Sequence, residues 1–244
     1  MRRFCCGDIH GAYLALKQVL KISKFNDKED LLICLGDVAD GWSQVPECFE
    51  RLLKIKNLIY ILGNHDQWLL NYFNTGATPS IWISQGGEAT IDAYNRMDYM
   101  DNIKDILRSH KNLLERAYSY YVTYDNKLFV HGGFNWHQDI KDQPLHDLIW
   151  DRHLFSVAKM WEEYNQRGVP GKELRIVKNY DEVFIGHTTT SRTDPKLKPV
   201  HVSNVWNLDQ GAGWEGKLTL MDIDTKRFFQ SDIVKDLYPN EKGR

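Results

Sequence analysis

Five apolar runs in this 244-residue chain each end in glycine or histidine beside a side chain that can bind metal or move a proton. They are Phe4-Cys5-Cys6-Gly7-Asp8-Ile9-His10-Gly11, Leu31-Leu32-Ile33-Cys34-Leu35-Gly36-Asp37-Val38-Ala39-Asp40, Ile59-Tyr60-Ile61-Leu62-Gly63-Asn64-His65-Asp66, Leu128-Phe129-Val130-His131-Gly132-Gly133 and Val183-Phe184-Ile185-Gly186-His187-Thr188. The donors so placed are Asp8, His10, Asp37, Asn64, His131 and His187: carboxylates, imidazoles and an amide, with no thiolate. Such a set suits borderline-to-hard divalent ions such as Mn, Fe, Zn or Ni, whereas Mg alone would not draw so many imidazoles. Six donors exceed one tetrahedral site and a carboxylate can bridge, so the set points to two metal ions. Any one run is ordinary, since a strand-end histidine is usually structural and an aspartate in such a turn usually caps it. The five together carry the argument.

The elements that must position these residues follow from hydrophobic spacing. Residues 2–6, 31–35 and 58–62 read as strands. Between them, Ala12 to Ile22 carries Leu16, Val19 and Leu20 at helical spacing, and Pro46 opens a second helix through Phe49, Leu52 and Leu53. This alternation predicts a parallel sheet with its ligands at the carboxyl ends of the strands, where the donors lie. Residues 66–114 read as mainly helical, broken near Thr78-Pro79 and Gly86-Gly87, and are expected to form a helical cap (around 66–115) beside the site. From Ser119 a hairpin pattern begins, with further strands expected at 182–185, 199–202, 205–208, 217–223 and 227–230 and a helix at 154–166. The expected architecture is an α/β fold, a four-layer αββα sandwich of two mixed sheets flanked by helices, as one domain over residues 1–244. The polar stretch Pro239–Arg244 is expected to fray.

A net charge of −2 gives no electrostatic case for nucleic-acid or acidic-membrane partners. No apolar run approaches the ~20 residues of a membrane span, and no basic stretch precedes an apolar one as in a signal peptide. Cys5, Cys6, Cys34 and Cys48 show no CxxC spacing and read as buried free thiols. A cytoplasmic location is expected.

The order GDxHG, GDxxD, GNHD, HGG, GHT resembles the calcineurin-like metallophosphoesterase superfamily. The closer likeness is to its PPP-type branch, with bacterial and phage-type serine/threonine phosphatases and symmetrical diadenosine tetraphosphatases. Trp82 to Tyr94, Leu148 to Phe155 and Leu208 to Leu220 add to it, so the likeness runs over essentially the whole chain. It implies that Asp8 and His10 bind a first metal, that Asp37 bridges, and that Asn64, His131 and His187 complete the second. Thr189 stands where many superfamily members have a second histidine, as in the PPP branch. The implied activity is hydrolysis of phosphate monoesters, phosphoserine and phosphothreonine in proteins included, by a metal-bridging hydroxide with manganese the leading metal. A diadenosine tetraphosphatase-like pyrophosphohydrolase is the alternative, and a non-catalytic phospho-ligand binding protein a third. The expected partner is a phosphorylated small molecule or phosphoprotein.

His65 cannot reach the metal that its neighbour Asn64 binds without strain, so it is left for chemistry. Asp40 can accept from one of its ring nitrogens, which makes the pair a general acid and its orienter. Asp66 reads as a local cap or a support for the ligands. The family usually has arginine after the second motif's last aspartate, where this chain has Gly41-Trp42. One phosphate clamp is therefore missing, while a second is kept as Arg152. Trp42, Trp136, Trp150 and Trp214 flank motifs, and of these Trp42 and Trp136 are the candidates for a substrate rim, with His137 beside them. Asp209 is expected to shape a turn, and His110, His146, His153 and His201 to be structural or exposed.

Overall fold

The computed structural model describes residues 1–97, 100–166, 175–192 and 194–244. Its centre is a pair of five-stranded sheets. The first contains β1 (Arg3–Cys6), β2 (Leu31–Cys34), β3 (Asn57–Tyr60), β9 (Thr219–Asp222) and β10 (Phe228–Gln230), in the order β10-β9-β1-β2-β3. The second contains β4 (Tyr120–Val122), β5 (Lys127–Val130), β6 (Glu182–Ile185), β7 (Val200–Val202) and β8 (Val205–Asn207), in the order β4-β5-β6-β8-β7. The strands β1, β2 and β3 are parallel, as are β5, β6 and β8, with antiparallel strands outside them.

A strand's side chains alternate between its two faces, and here both faces are covered. Phe4, Cys6, Leu32 and Cys34 face a core with helices α1 (Tyr13–Ile22) and α2 (Val45–Leu53). The residues between them, Cys5, Ile33 and Leu35, face the other sheet and meet Phe129, Phe184 and Leu208. Leu128, Val130, Val183 and Ile185 turn outward again to a third cluster with Leu148 and Leu154. This layering explains why the strands read as unbroken apolar runs. Phe129 and Phe184 stack at 4.7 Å between the sheets, and burying each ring stabilises the sandwich by about 1.5–3 kcal/mol. The four-layer α/β sandwich expected from the sequence is the observed fold.

The segment after β3 forms α3 (Asn64–Thr75), α4 (Ser80–Trp82), α5 (Glu88–Asn95) and α6 (Ile103–Glu115). Its breaks fall at Gly76–Pro79 and at a kinked turn where Gly86 takes φ +99°, close to where the sequence placed them. Beyond β5 lie α7 (Leu145–Trp150) and α8 (His153–Gln166), and beyond β10 a short α9 (Val234–Leu237). Neither α7 nor α9 was expected: each is short and has too few turns for a periodic signal. Among the described residues no helix is long and apolar enough to cross a membrane. All four cysteines are free and buried.

The segment Pro239–Arg244 corrects the expectation of fraying. Glu241 accepts hydrogen bonds from the Ser43 amide (2.9 Å) and hydroxyl (2.7 Å), and the Arg244 amide donates to the Gly213 carbonyl at 2.9 Å. Just before it, Tyr238 stacks on Trp42 at 5.1 Å. These contacts hold the segment down although its composition is polar.

Candidate metal centre

The loops after β1, β2, β3, β5 and β6 converge at one edge of the sandwich. Asp37 and Asp8 with His10 make one group of donor atoms within 4.8 Å of one another, and Asp37 with His131 and His187 makes a second. Asp37 is common to both. Its Oδ2 lies 3.7 Å from His10 Nε2 and 3.3 Å from His131 Nε2. Asn64 Oδ1 lies 3.1 Å from His131 Nε2. All six expected donors are therefore brought together, each nearly inaccessible to solvent.

Neighbouring backbone fixes their orientation. His10 Nδ1 donates to the Ala39 carbonyl at 3.0 Å and His131 Nδ1 to the Leu35 carbonyl at 2.7 Å. Each ring therefore carries a proton on Nδ1 and turns Nε2 to the cluster, the orientation of a metal-ligating histidine. The Asp8 carboxylate accepts from the His187 amide at 3.0 Å, which joins the two sheets. His10, Asp37, Asp40 and His187 all hold left-handed backbone, with φ between +49° and +69°. That conformation is costly for these residue types and is held here by the surrounding bonds.

Asp66 caps this arrangement from beneath. Its carboxylate accepts from the amides of Asp37 (2.8 Å), Val38 (2.9 Å), Ala39 (3.1 Å) and Gly63 (3.2 Å) and from the Tyr60 hydroxyl (2.9 Å). At the first turn of α3, the His65 amide donates to Asp37 Oδ1 at 3.0 Å. Gly63 has no alternative residue at this spot, because an added Cβ would lie 2.1 Å from Asp37 Oδ1.

His65 Nδ1 lies 2.6 Å from Asp40 Oδ2. Asp40 is held in turn by Trp82 Nε1 (2.8 Å) and the Thr90 hydroxyl (2.7 Å). Both come from the helical segment between β3 and β4, which thereby reaches the site. Their bonds to Asp40 were not legible in the sequence. Trp68 was also missed: its ring lies 5.0 Å from His65 and 5.2 Å from Trp150, which itself packs 5.7 Å from His187.

The electrostatics favour a cation. Burial holds the His10 and His187 imidazoles well below the usual histidine range, with Arg244 adding to this at His10 and His131 at His187. They are neutral and able to ligate. Burial would lower His131 as well, but the Asp37 and Asp8 carboxylates outweigh it and raise His131 to about 9. The same negative field would welcome a metal ion. Two buried atoms, Asp37 Oδ2 and His187 Nε2, have no hydrogen-bond partner. Unpaired buried polar atoms are costly, and both belong to residues of the donor groups, so these residues fit a pair of divalent ions.

A cavity of about 280 Å³ opens beside the cluster, lined by His10, His187, Asp209 and Trp214 together with Arg152, Arg192 and Arg244. Arg152 Nη1 donates to the His187 carbonyl at 2.8 Å, which places it beside the donor cluster. Trp42 does not. It is fully buried, stacked on Tyr238, with Nε1 donating to the Ala212 carbonyl at 2.7 Å. A residue next to a motif can point to either side of its loop, and here the core side won. Trp136 and His137 also stand off the cavity lining. Trp136 packs on the outer cluster of the second sheet, stacked 5.8 Å from His153, and His137 is exposed. The aromatic residue at the cavity is Trp214. Asp209 shapes its turn by accepting from the Gly211 amide at 2.9 Å.

A family model described as calcineurin-like phosphoesterase matches residues 1–198. Over 220 residues the chain is 24% identical to serine/threonine-protein phosphatase 1 of Salmonella typhimurium, covering 89% of each. It is 23% identical over 279 residues to a symmetrical bis(5'-nucleosyl)-tetraphosphatase of Wigglesworthia glossinidia brevipalpis, covering 94% of this chain and 98% of the relative. A crystal structure described as that of "a putative diadenosine tetraphosphatase" superposes with a TM-score of 0.62 at 16% identity, over 94% of this chain and 92% of the other. The chain belongs to the calcineurin-like phosphoesterases, metal-dependent hydrolases of phosphate esters.

Proposed function

We propose that this protein hydrolyses phosphate monoesters, phosphoserine and phosphothreonine side chains among them, with two divalent ions, manganese being the leading metal by the chain's likeness to the PPP-type branch. One observation carries the reading: Asp37 is shared by two groups of metal donors beside a cavity lined with guanidinium groups. Asp8 and His10 would hold one ion, Asn64, His131 and His187 the other, and Asp37 would be shared. Ions so held supply Lewis acidity and an activated water. Arg152 binds phosphoryl oxygen and orients the ester. Asp40 keeps the His65 proton on Nδ1, so a second proton at Nε2 is the one delivered to the leaving oxygen. Trp82 and Thr90 fix Asp40 in that task. A non-catalytic role would allow loss of a donor or of the acid, and neither is lost.

A second reading, hydrolysis of a dinucleoside polyphosphate, is favoured by the three arginines and Trp214 at the cavity, more cationic surface than one phosphoryl group needs. The two are separated by initial rates under Mn²⁺ on para-nitrophenyl phosphate, a phosphoserine peptide, diadenosine tetraphosphate and a cyclic nucleotide. The monoester reading expects the first two to be preferred. Turnover of none of the four by metal-loaded protein would overturn both.

A further inference from the structure

Arg244 lies far from every motif, yet its side chain ends at the metal donors. Its Nη1 lies 3.1 Å from His10 Nε2, and its Nη2 donates to Gln85 Oε1 at 3.1 Å. The guanidinium packs over the Trp214 ring at 5.3 Å. Its stem passes closely over three glycines: Cβ atoms built on Gly213, Gly86 and Gly41 would lie 3.0, 3.2 and 3.3 Å from its Cδ or Cγ atoms. The docked segment Pro239–Arg244 and the helical segment at Gln85 thus both contribute to placing one cation. Arg152 lines the same cavity.

Two observations say that this cation awaits a ligand. Arg244 Nε is buried with no partner. At the centre Nη1 meets His10 Nε2, whose lone pair is the one a metal would take. A loaded centre therefore leaves Nη1 without that acceptor, on a residue that lines the cavity, where a tetrahedral oxyanion can meet it. A guanidinium fork matches phosphate oxygens in geometry and charge.

We propose that Arg244 is a substrate-binding residue whose guanidinium clamps the phosphoryl group together with Arg152, at the place where Gly41 offers no side chain. The proposal rests on the phosphatase reading above. It also assigns a function to the docking of residues 239–244: undocking removes the clamp.

The test compares wild type, Arg244→Ala and Arg244→Lys, all Mn²⁺-loaded, by calorimetric titration with inorganic phosphate and by kinetics on para-nitrophenyl phosphate. The expected result for Arg244→Ala is roughly ten- to a hundredfold weaker phosphate binding, the worth of a bond to a charged group. KM rises in parallel, kcat falls less, and Arg244→Lys recovers part of the loss. Unchanged phosphate affinity and KM, with tighter Mn²⁺ binding in Arg244→Ala, would show instead that Arg244 merely occupies the metal's place, and would overturn the proposal. The titration needs no turnover. If wild type hydrolysed nothing, the phosphatase reading would fail while the phosphate titration still judged the clamp.

Discussion

His65 and Asp40 share a 2.6 Å hydrogen bond, and the carboxylate is held on both oxygens by further donors, Trp82 on Oδ2 and Thr90 on Oδ1. The imidazole is thereby fixed in tautomer and in direction, at the edge of the metal donors and not among them. His10 lies edge-to-face with it at 5.0 Å.

Replacing His65 by alanine is expected to leave both metals bound and to lower turnover by about 10²–10⁴-fold, the usual worth of a positioned acid. The loss is largest for alkyl phosphates and smaller for para-nitrophenyl phosphate, whose leaving group needs little protonation. Asp40→Asn follows the same leaving-group pattern with a smaller loss. Metal analysis beside the kinetics decides the assignment: an emptied centre in His65→Ala would mean that the ring ligates.

Asp37 has the opposite signature. Asp37→Ala removes a donor from both groups, so metal content measured by atomic emission should fall for both ions together and activity should vanish with it. In the wild type, a chelator should lower the melting temperature, because an ion present at a hundred times its Kd stabilises the folded state by about 2.7 kcal/mol. Asp37→Ala should melt at a temperature that no longer responds to the chelator. A single retained ion at full occupancy would refute the shared role.

Acid stability should depend on a cluster remote from the centre. Arg3 donates to Asp125 at 2.7 and 2.8 Å and also pairs with Asp224. The bond from Arg3 is the largest influence holding each carboxyl below the usual carboxylate range. Groups depressed in this way contribute stability above the unfolded-state pKa of about 4, and lose it as pH falls toward the folded-state values. Asp125→Asn should therefore cost about 1 kcal/mol at pH 7. It should also flatten the fall in stability below pH 4, as read from urea midpoints across pH. An unchanged acid limb would exclude this cluster as its source.

Which features could be read in advance depends on how local their signal is. The six donors were legible because each ends an apolar run whose burial is dictated by the two covered sheet faces, and the parallel order of β1, β2 and β3 puts those ends together. Asp40 was legible by its spacing from Asp37. Trp82 and Thr90 were not recognised as supports for Asp40, since that contact depends on how α4 and α5 fold back over the loop. Arg244 gave no signal at all: its neighbours are polar, and its stem packs against glycines from three separate segments. Trp42 misled for a related reason, as its loop could have turned the ring either way until Tyr238 and the Ala212 carbonyl claimed it.

The donors are divided between the sheets, Asp8, His10, Asp37 and Asn64 from one and His131 and His187 from the other, with two hydrogen bonds crossing at Leu35 and Asp8. Neither sheet owns the centre. A slide of one layer on the other by even a fraction of the spacing between the donors would part them while every strand kept its own pairing. Metal bound there would work as a rivet through the sandwich, and its release would be the earliest gauge of misalignment, readable before any secondary structure is lost.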